Sequence, residues 1–464
     1  MNYLYAGVAG VAGVIASTAF APLSFWPSAF IGLTIWYFLL IRMRLRSRVY
    51  VSYIFGLGVL LPVQLWTGIY VGNLPWLLLS FTQALIFTLP ALFVGKKINY
   101  NQIAFACSFV CVELLLRTVP FTGFGWSRLS FTQVDGPLQF LYPSGGVVLV
   151  AFLIALISSA RSVFNLALIC LVIAGLSFLP RIEATDKKSS IALVQGGVVK
   201  LGLEFNSKPK EVFLRHLQQT SKSVTFNQVD LIIWPENAVD IDINTNDEVK
   251  KLINQKSVFL DTPLLVGGVT KSGDNLLNQS FLFDPQIKQS YSKRYLTPFG
   301  EYLPLRGIAT KVSRYADQIT DFKAGQEDTK FLIDDATFQS LICYELLDDS
   351  FRDQIDTNFL VVQTNNATFG DTAQLDQQLN IARVRAIETG RYIAYVSTTG
   401  TTSFIDNRGK IIEKLPKFES STLFGEVNHV IGITTTQIIG KYLEYLAVGA
   451  LVIISLYRRW GRRW

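Results

Sequence analysis

Three polar residues of the sequence stand at the ends or heads of apolar runs, where a folded chain can hold a side chain in place. Glu236 closes the run 229–236, Lys293 begins the segment 293–301, and Cys343 follows the apolar residues 341–342. A carboxylate, an amine and a thiol can act as base, cation and nucleophile in an attack on an acyl carbonyl. We therefore predict that the three side chains meet in one catalytic site.

Cys343 is the candidate nucleophile, and its thiol, with an ordinary pKa near ~8.5, needs a group that removes the proton. The two histidines, His216 and His429, lie outside the polar clusters at strand ends, so a cysteine–histidine pair is disfavoured. Glu236 is the better base, because burial at the end of a strand raises the pKa of a carboxyl group. Lys293 would stabilise the thiolate and the oxyanion.

Each of these three residues also has a purely structural explanation. A buried cysteine is commonly inert, a Trp-Pro-Glu sequence can cap a strand, and a loop lysine is usually a solvated charge. Their joint occurrence favours the catalytic interpretation. The sequence contains no metal, nucleotide or redox-cofactor motif, so we expect no cofactor.

The composition indicates a membrane protein. The chain has 464 residues, of which 50% are hydrophobic and only 17% charged, and its mean hydropathy is +0.33. Several apolar runs reach the ~20 residues that cross a bilayer. We predict seven transmembrane helices in residues 1–184, a globular catalytic domain in 185–437, and a last transmembrane helix with a basic tail in 438–464.

The basic residues predict the orientation of these helices, because basic loops face the cytoplasm. They follow alternate spans, so both termini are expected in the cytoplasm and the globular domain outside it. The net charge of +7 is then explained by contact with anionic lipid, without nucleic-acid binding. The basic residues concerned are Arg42, Arg44, Arg46, Arg48, Lys96, Lys97, Arg161, Arg458, Arg459, Arg462 and Arg463.

Strand-like and helix-like runs alternate in the globular region, which indicates a layered α/β domain. Helices are predicted at 210–217 and 376–388, and a hairpin at 402–410. The predicted strands lie at 190–196, 231–234, 263–268, 280–283, 338–342, 358–362 and 392–396.

The motifs around the three polar residues resemble those of the carbon-nitrogen hydrolase (nitrilase) superfamily, and more narrowly those of the apolipoprotein N-acyltransferase family. They are the runs 233–236, 298–304 with Lys293, and 342–345. The resemblance implies an αββα sandwich on the extracytoplasmic side of a bacterial inner membrane. It implies Glu236 as base, Lys293 as oxyanion and thiolate stabiliser, and Cys343 as nucleophile. It also implies supporting or substrate-binding roles for Trp234, Phe299, Glu301, Tyr344, Glu345, Asn366 and Phe205.

The resemblance further implies a two-step reaction. Cys343 takes an acyl chain from a phospholipid as a thioester, and the N-terminal α-amine of a diacylglyceryl-cysteine lipoprotein then receives it. The expected partners are therefore a phospholipid, a diacylated apolipoprotein and the membrane, with no nucleic acid, and the enzyme is expected to be a monomer.

The sequence departs from the family pattern at Asn366, at Thr368 and at 376–378, where many members have an acidic residue, a tryptophan and a histidine-containing stretch. These departures concern substrate contacts more than the three central residues. Two other functions stay open: a membrane-anchored amidase or hydrolase that uses water as the acceptor, and a non-catalytic membrane scaffold.

Overall fold

The computed structural model describes residues 3–69, 72–96, 100–176, 178, 181–202, 206–304, 306–307 and 320–460. The chain forms two compact units. One comprises Met1–Arg181 together with Thr434–Trp464, and the other comprises Ile182–Ile433.

The first unit is helical and strongly apolar. Among its described residues, four segments are long and apolar enough to cross a membrane: Asn73–Phe93, Asn101–Thr118, Gln139–Ser158 and Thr435–Arg458. Shorter apolar helices occupy Tyr3–Ser17, Pro27–Leu40 and Val163–Leu176. The α-helices are α1 Tyr3–Ser17, α2 Pro27–Leu40, α3 Leu45–Val63, α4 Asn73–Ala84, α5 Pro90–Phe93, α6 Asn101–Thr118, α7 Tyr142–Ser158 and α8 Val163–Leu176; the helix Thr435–Trp460 is the last of the chain.

A buried polar cluster holds the segment between α6 and α7, which folds into short 3₁₀ turns. Glu113 of α6 accepts hydrogen bonds from the backbone N–H of Ser130 at 2.9 Å and from its hydroxyl at 2.5 Å. The Arg128 guanidinium lies 3.4 Å from the same carboxylate. Buried polar groups in an apolar unit need such partners, so the cluster fixes the path of this segment.

The second unit contains two six-stranded sheets. The first has the strand order β12-β1-β2-β3-β4-β5 and the second β11-β10-β9-β8-β7-β6. The strands are β1 Ala184–Gln195, β2 Leu231–Ile233, β3 Leu264–Ser272, β4 Asn275–Phe283, β5 Ile287–Ser292, β6 Lys330–Ile333, β7 Ala336–Ile342, β8 Phe359–Thr364, β9 Ile393–Ser397, β10 Ser403–Ile405, β11 Ile411–Lys414 and β12 Ser421–Val430.

Each sheet has a parallel centre and antiparallel edges. Strands β1, β2 and β3 are parallel in the first sheet, as are β7, β8 and β9 in the second. The central strands β2 and β8 are apolar and completely buried, which is typical of parallel strands covered on both faces.

Helices cover the outer faces of the two sheets, which pack against each other. The first sheet carries α9 Glu211–Ser223 and α10 Asp247–Leu260, and the second carries α12 Ala373–Thr389; α11 is the short helix Asp349–Arg352. The layered α/β architecture predicted from the sequence is therefore confirmed. The polar edge strands β5, β6 and β12 and the helix α10 are elements that the sequence analysis did not predict.

Candidate active site

Glu236 is placed by the end of β2 and by the neighbouring strand β3. The Trp234 N–H donates to the Leu265 carbonyl at 2.8 Å and extends the pairing just past β2. A Cβ at Gly267 of β3 would lie 2.4 Å from the Pro235 carbonyl oxygen and 2.8 Å from the Glu236 Cα. Only glycine leaves room for the backbone that turns Glu236 away from the sheet.

Lys293, which directly follows β5, is buried beside two carboxylates. Its ammonium lies 2.8 Å from the nearer Glu301 oxygen and 3.6 Å from the nearer Glu236 oxygen. Its side chain is 1% exposed. Within the described residues this is a buried cation shared unequally between two acids, and Glu301 is the closer partner.

Asn278 of β4 connects the two carboxylates. Its side-chain amide N–H₂ donates to Glu236 Oε1 at 2.7 Å and to Glu301 Oε1 at 2.9 Å. Its backbone carbonyl accepts the Lys293 N–H at 2.8 Å. One residue therefore fixes both acids and the backbone of the lysine, although nothing in its sequence context indicated it.

The electrostatics of this cluster favour a charged lysine and a carboxylate that accepts protons readily. Burial raises the pKa of Glu236, and the ammonium of Lys293 opposes that rise. Burial alone would lower the pKa of Lys293, but the charges of Glu301 and Glu236 outweigh it and raise the pKa above its ordinary value. A raised pKa suits a carboxylate to act as a general base.

Cys343 occupies a strained turn at the end of β7. Its φ of 53° lies in the left-handed region, which costs a residue with a Cβ roughly 1–2 kcal/mol. The residue is partly exposed and begins the 3₁₀ turn Cys343–Leu347. Strained residues that the surroundings hold in place are concentrated at functional sites.

Glu345 is buried in this turn and ties it to the segment that carries Lys293. Its carboxylate accepts the Ile342 N–H at 2.8 Å, the Arg294 N–H at 2.8 Å and the Tyr291 hydroxyl at 2.6 Å. These bonds join the end of β7 to β5 and to the residue after Lys293. Glu345 therefore positions the cysteine and the lysine relative to each other.

The thiol of Cys343 lies within the electrostatic reach of both predicted partners. Burial and the charge of Glu236 raise the pKa of Cys343 to about 12, while the charge of Lys293 lowers it. The amide of Gln378, on α12, donates to the sulfur at 3.4 Å. At neutral pH the group is a thiol, so formation of the thiolate requires a base.

The structure thus brings Glu236, Lys293 and Cys343 together. Glu301 contacts Lys293 directly, and Glu345 bonds to the residues adjacent to Cys343 and Lys293. Asn366 is connected to Cys343 through Gln378, because its amide N–H₂ donates to the side-chain oxygens of Gln374 and Gln378, each at 2.8 Å. Sequence analysis named Asn366 but missed Asn278 and the contact between Gln378 and the sulfur.

The remaining named residues occupy different surroundings. Trp234 is fully buried; its indole N–H donates to the Thr220 hydroxyl at 2.9 Å, so it packs in the core beneath Glu236. Tyr344 is 9% exposed beside Cys343, and Phe299 is 54% exposed with a φ of 61°. Phe205 lies outside the described residues.

Comparison with known proteins identifies both units. A model of the carbon-nitrogen hydrolase family matches residues 190–433, more than half of the chain. The chain belongs to the carbon-nitrogen hydrolase family. A second model, that of the apolipoprotein N-acyltransferase N-terminal domain, matches residues 12–160 of the helical unit of this carbon-nitrogen hydrolase. The resemblance predicted from the motifs is confirmed, and with its apolar helices the chain is a membrane protein.

Curated relatives match almost the whole length. Apolipoprotein N-acyltransferase of Mycolicibacterium smegmatis is 29% identical over 94% of this chain and 82% of its own. The protein of the same name from Haemophilus influenzae is 28% identical over 96% of this chain and 92% of its own. Among solved structures, the CN-hydrolase superfamily protein XC1258 of Xanthomonas campestris is 16% identical, with a TM-score of 0.41, over 52% of this chain and 91% of its own.

Among the residues described, no group of three or more histidine, cysteine, aspartate or glutamate side chains is arranged to hold a metal ion.

Proposed function

We propose that this chain is an apolipoprotein N-acyltransferase that moves a fatty acyl chain from a phospholipid to a lipoprotein through a thioester on Cys343. The observation that carries the proposal is the convergence of Glu236, Lys293 and Cys343 in a chain that also carries apolar helices. The names of the full-length relatives support the same activity.

In the first step Glu236 takes the proton of the Cys343 thiol, and the sulfur attacks the ester carbonyl of the phospholipid. The carbon–sulfur bond forms, and negative charge develops on the carbonyl oxygen, where the Lys293 ammonium stabilises it. The ester carbon–oxygen bond then breaks, and the proton on Glu236 passes to the departing lysophospholipid oxygen.

In the second step the α-amine of a diacylglyceryl-cysteine attacks the thioester. The carbon–nitrogen bond forms, the carbon–sulfur bond breaks, and Glu236 takes a proton from the amine and passes it to the departing sulfur. Such an exchange, with one product leaving before the second substrate reacts, is ping-pong in kind. Both substrates are membrane-anchored, and extraction into water would cost about 0.8 kcal/mol per methylene, so an enzyme with its own membrane helices is physically sensible.

We further propose that the enzyme is a monomer of the bacterial inner membrane, with its seven N-terminal helices in residues 1–184, its catalytic domain in residues 185–437 and its last helix in residues 438–464. Both termini face the cytoplasm and the catalytic domain lies outside it. A fluorescent protein fused after Trp464 should fluoresce, and alkaline phosphatase fused there should be inactive. The reverse pattern would refute the orientation.

Mass spectrometry of the purified full-length protein tests the activity. Incubation with phospholipid should add one acyl group to the peptide that contains Cys343. Cys343→Ala should remove this adduct, whereas Cys170→Ala, a control at an exposed cysteine of the helical unit, should keep it.

The acceptor distinguishes the competing functions. A diacylated lipopeptide should discharge the adduct rapidly and water only slowly. Equal discharge by water alone would indicate a hydrolase, and the absence of an adduct with every phospholipid tested would indicate a non-catalytic scaffold. Either result would overturn the proposal.

A further inference from the structure

The amide of Gln378 faces the sulfur of Cys343 from the side of α12. Its Nε2 donates to Cys343 Sγ at 3.4 Å, and the residue is buried. A buried amide N–H₂ that served only to stabilise the fold would be expected to find an oxygen acceptor, which forms the stronger bond. The contact with sulfur, the atom that reacts in the proposed mechanism, needs an explanation.

A chain of hydrogen bonds that begins at a backbone donor indicates the direction of this contact. The Gly400 N–H can only donate, and it donates to the Ser397 hydroxyl oxygen at 2.8 Å. The Ser397 hydroxyl then donates to Asn366 Oδ1 at 2.6 Å, and Asn366 Nδ2 donates to Gln378 Oε1 at 2.8 Å. The Gln378 N–H₂ is therefore the end that faces Cys343.

Further donors surround the same Gln378 oxygen. The Thr364 hydroxyl lies 3.1 Å from it, Gln374 Nε2 3.2 Å and the Tyr395 hydroxyl 3.2 Å. Burial raises the pKa of Tyr395 well above its ordinary value, so its hydroxyl keeps the proton that it donates. Rotation of the Gln378 amide by 180° would place its N–H₂ against the N–H₂ groups of Asn366 and Gln374.

The charged groups around the sulfur have opposing effects on the thiolate. A neutral hydrogen-bond donor can therefore stabilise the thiolate further. The carboxylate of Glu236 disfavours the thiolate, the ammonium of Lys293 favours it, and Tyr395 interacts with the same sulfur. The Thr364 hydroxyl and the Gln378 amide are neutral hydrogen-bond partners of the sulfur, and each lowers its pKa. Lys293 lies closest to Glu301 and also beside Glu236, so the opposite charges of these carboxylates offset part of its effect on the sulfur. A fixed amide dipole favours the thiolate and does not itself titrate.

We propose that Gln378 is a further catalytic residue, whose side-chain N–H stabilises the Cys343 thiolate at the moment Glu236 removes the proton. Asn366, Gln374 and Ser397 are positioning residues that act through it. In this step the S–H bond breaks, an O–H bond forms on Glu236, and the negative charge that remains on sulfur accepts the amide hydrogen bond. The inference rests on the proposed function, since it needs Cys343 as the nucleophile.

The test is the rate at which iodoacetamide alkylates Cys343 in the full-length protein, followed from pH 7 to pH 10 by peptide mass spectrometry. Gln378→Met keeps the length of the side chain and removes the donor. Loss of a hydrogen bond to a charged group raises the pKa of the thiol by about one to two units. A thiolate of higher pKa is intrinsically more nucleophilic, so the net rate at pH 8 should fall roughly 4- to 16-fold.

Two further variants separate hydrogen bonding from packing. Gln378→His offers a ring N–H to the sulfur and should restore much of the alkylation rate. Ser397→Ala interrupts the chain two residues from the sulfur and should slow alkylation by a smaller factor, about 2-fold. The control Asn380→Ala removes a hydrogen bond to Arg383 within the same helix and should leave the rate unchanged.

Equal alkylation rates in Gln378→Met and in the unmodified protein would overturn the assignment. Should Gln378→Met fail to fold, a folded Gln378→His variant that is alkylated at least 4-fold more slowly than the unmodified protein would overturn it equally. The readout does not require acyl transfer. If Cys343→Ala retained N-acyltransferase activity, the proposed function would fail while the alkylation result would still report on the Gln378 contact.

Discussion

Removal of the ammonium of Lys293 should impair both the stability of the active site and its chemistry. Lys293→Met leaves the carboxylates of Glu236 and Glu301 buried, connected by Asn278 and without their cation. Electrostatic repulsion and poor solvation then act on the same two groups. We expect a large loss of stability together with a complete loss of the Cys343 acyl adduct.

The magnitude follows from burial. The side chains of Lys293, Glu236 and Glu301 are 1%, 6% and 11% exposed, so solvent screens their interactions weakly. Breaking a buried ion pair by removing one partner costs about 3–5 kcal/mol. For a unit of this size each kcal/mol lowers the unfolding temperature by about 2–4 °C, so a fall of roughly 6–20 °C is expected.

The second substitution Glu301→Gln should restore part of that stability. Glu301 makes the shortest contact with the ammonium, so neutralising it removes the nearer unpaired carboxylate. Lys293→Met/Glu301→Gln should therefore melt between Lys293→Met and the unmodified protein, and it should still form no acyl adduct because the cation is absent. Near-ultraviolet circular dichroism in detergent measures the unfolding temperature, and mass spectrometry measures the adduct.

Lys288→Met provides a matched control on β5, because that lysine pairs with Asp284 at the surface and exposed pairs contribute about 0–1 kcal/mol. An unfolding temperature for Lys293→Met within 2 °C of the control would refute the electrostatic reasoning. A double variant that melts below Lys293→Met would refute the assignment of Glu301 as the main partner.

Three further results are expected. Burial lowers the pKa of His216 to about 4, so protonation favours the unfolded chain as pH falls from about 6.5 towards 4. His216→Leu should therefore remove about 2.4 kcal/mol of the destabilisation between pH 7 and pH 4.5, measured by melting at those two values. Burial raises the pKa of Glu236. As the pH is lowered, the rate of adduct formation should therefore fall already at a pH above ~4.3, the ordinary pKa of a glutamate. A series of rates from pH 5 to pH 9 measures this fall. Gly267→Ala places a methyl group 2.4 Å from the Pro235 carbonyl and should slow adduct formation about 10-fold or more by displacing Glu236, whereas Gly449→Ala, which meets open space, should have no effect.

Much of the fold could be predicted from local sequence. The buried strands β2 and β8 and the helix α12 follow from apolar runs and helical periodicity, which depend only on neighbouring residues. The edge strands β5, β6 and β12 could not be predicted in this way, since their burial is only partial. Strands β5 and β6 pair with their chain neighbours β4 and β7, whereas the partner of β12 is the distant strand β1. Their existence depends on pairing with strands already in the sheets.

Local sequence was sufficient to find the reactive groups: a carboxylate, an ammonium group and a thiol that follow strands, in a chain apolar enough to enter a membrane. The motifs around Glu236, Lys293 and Cys343 are local, so they could be recognised without a structure.

The neighbours that tune these groups depend on the packed fold. Asn278 reaches two acids from the middle of a strand, and Gln378 reaches the sulfur from a helix 35 residues further along the chain. Both are ordinary polar residues whose importance comes from the direction of a side-chain amide. That direction depends on hydrogen bonds between distant segments, and it is fixed only when the sheets and helices have packed together.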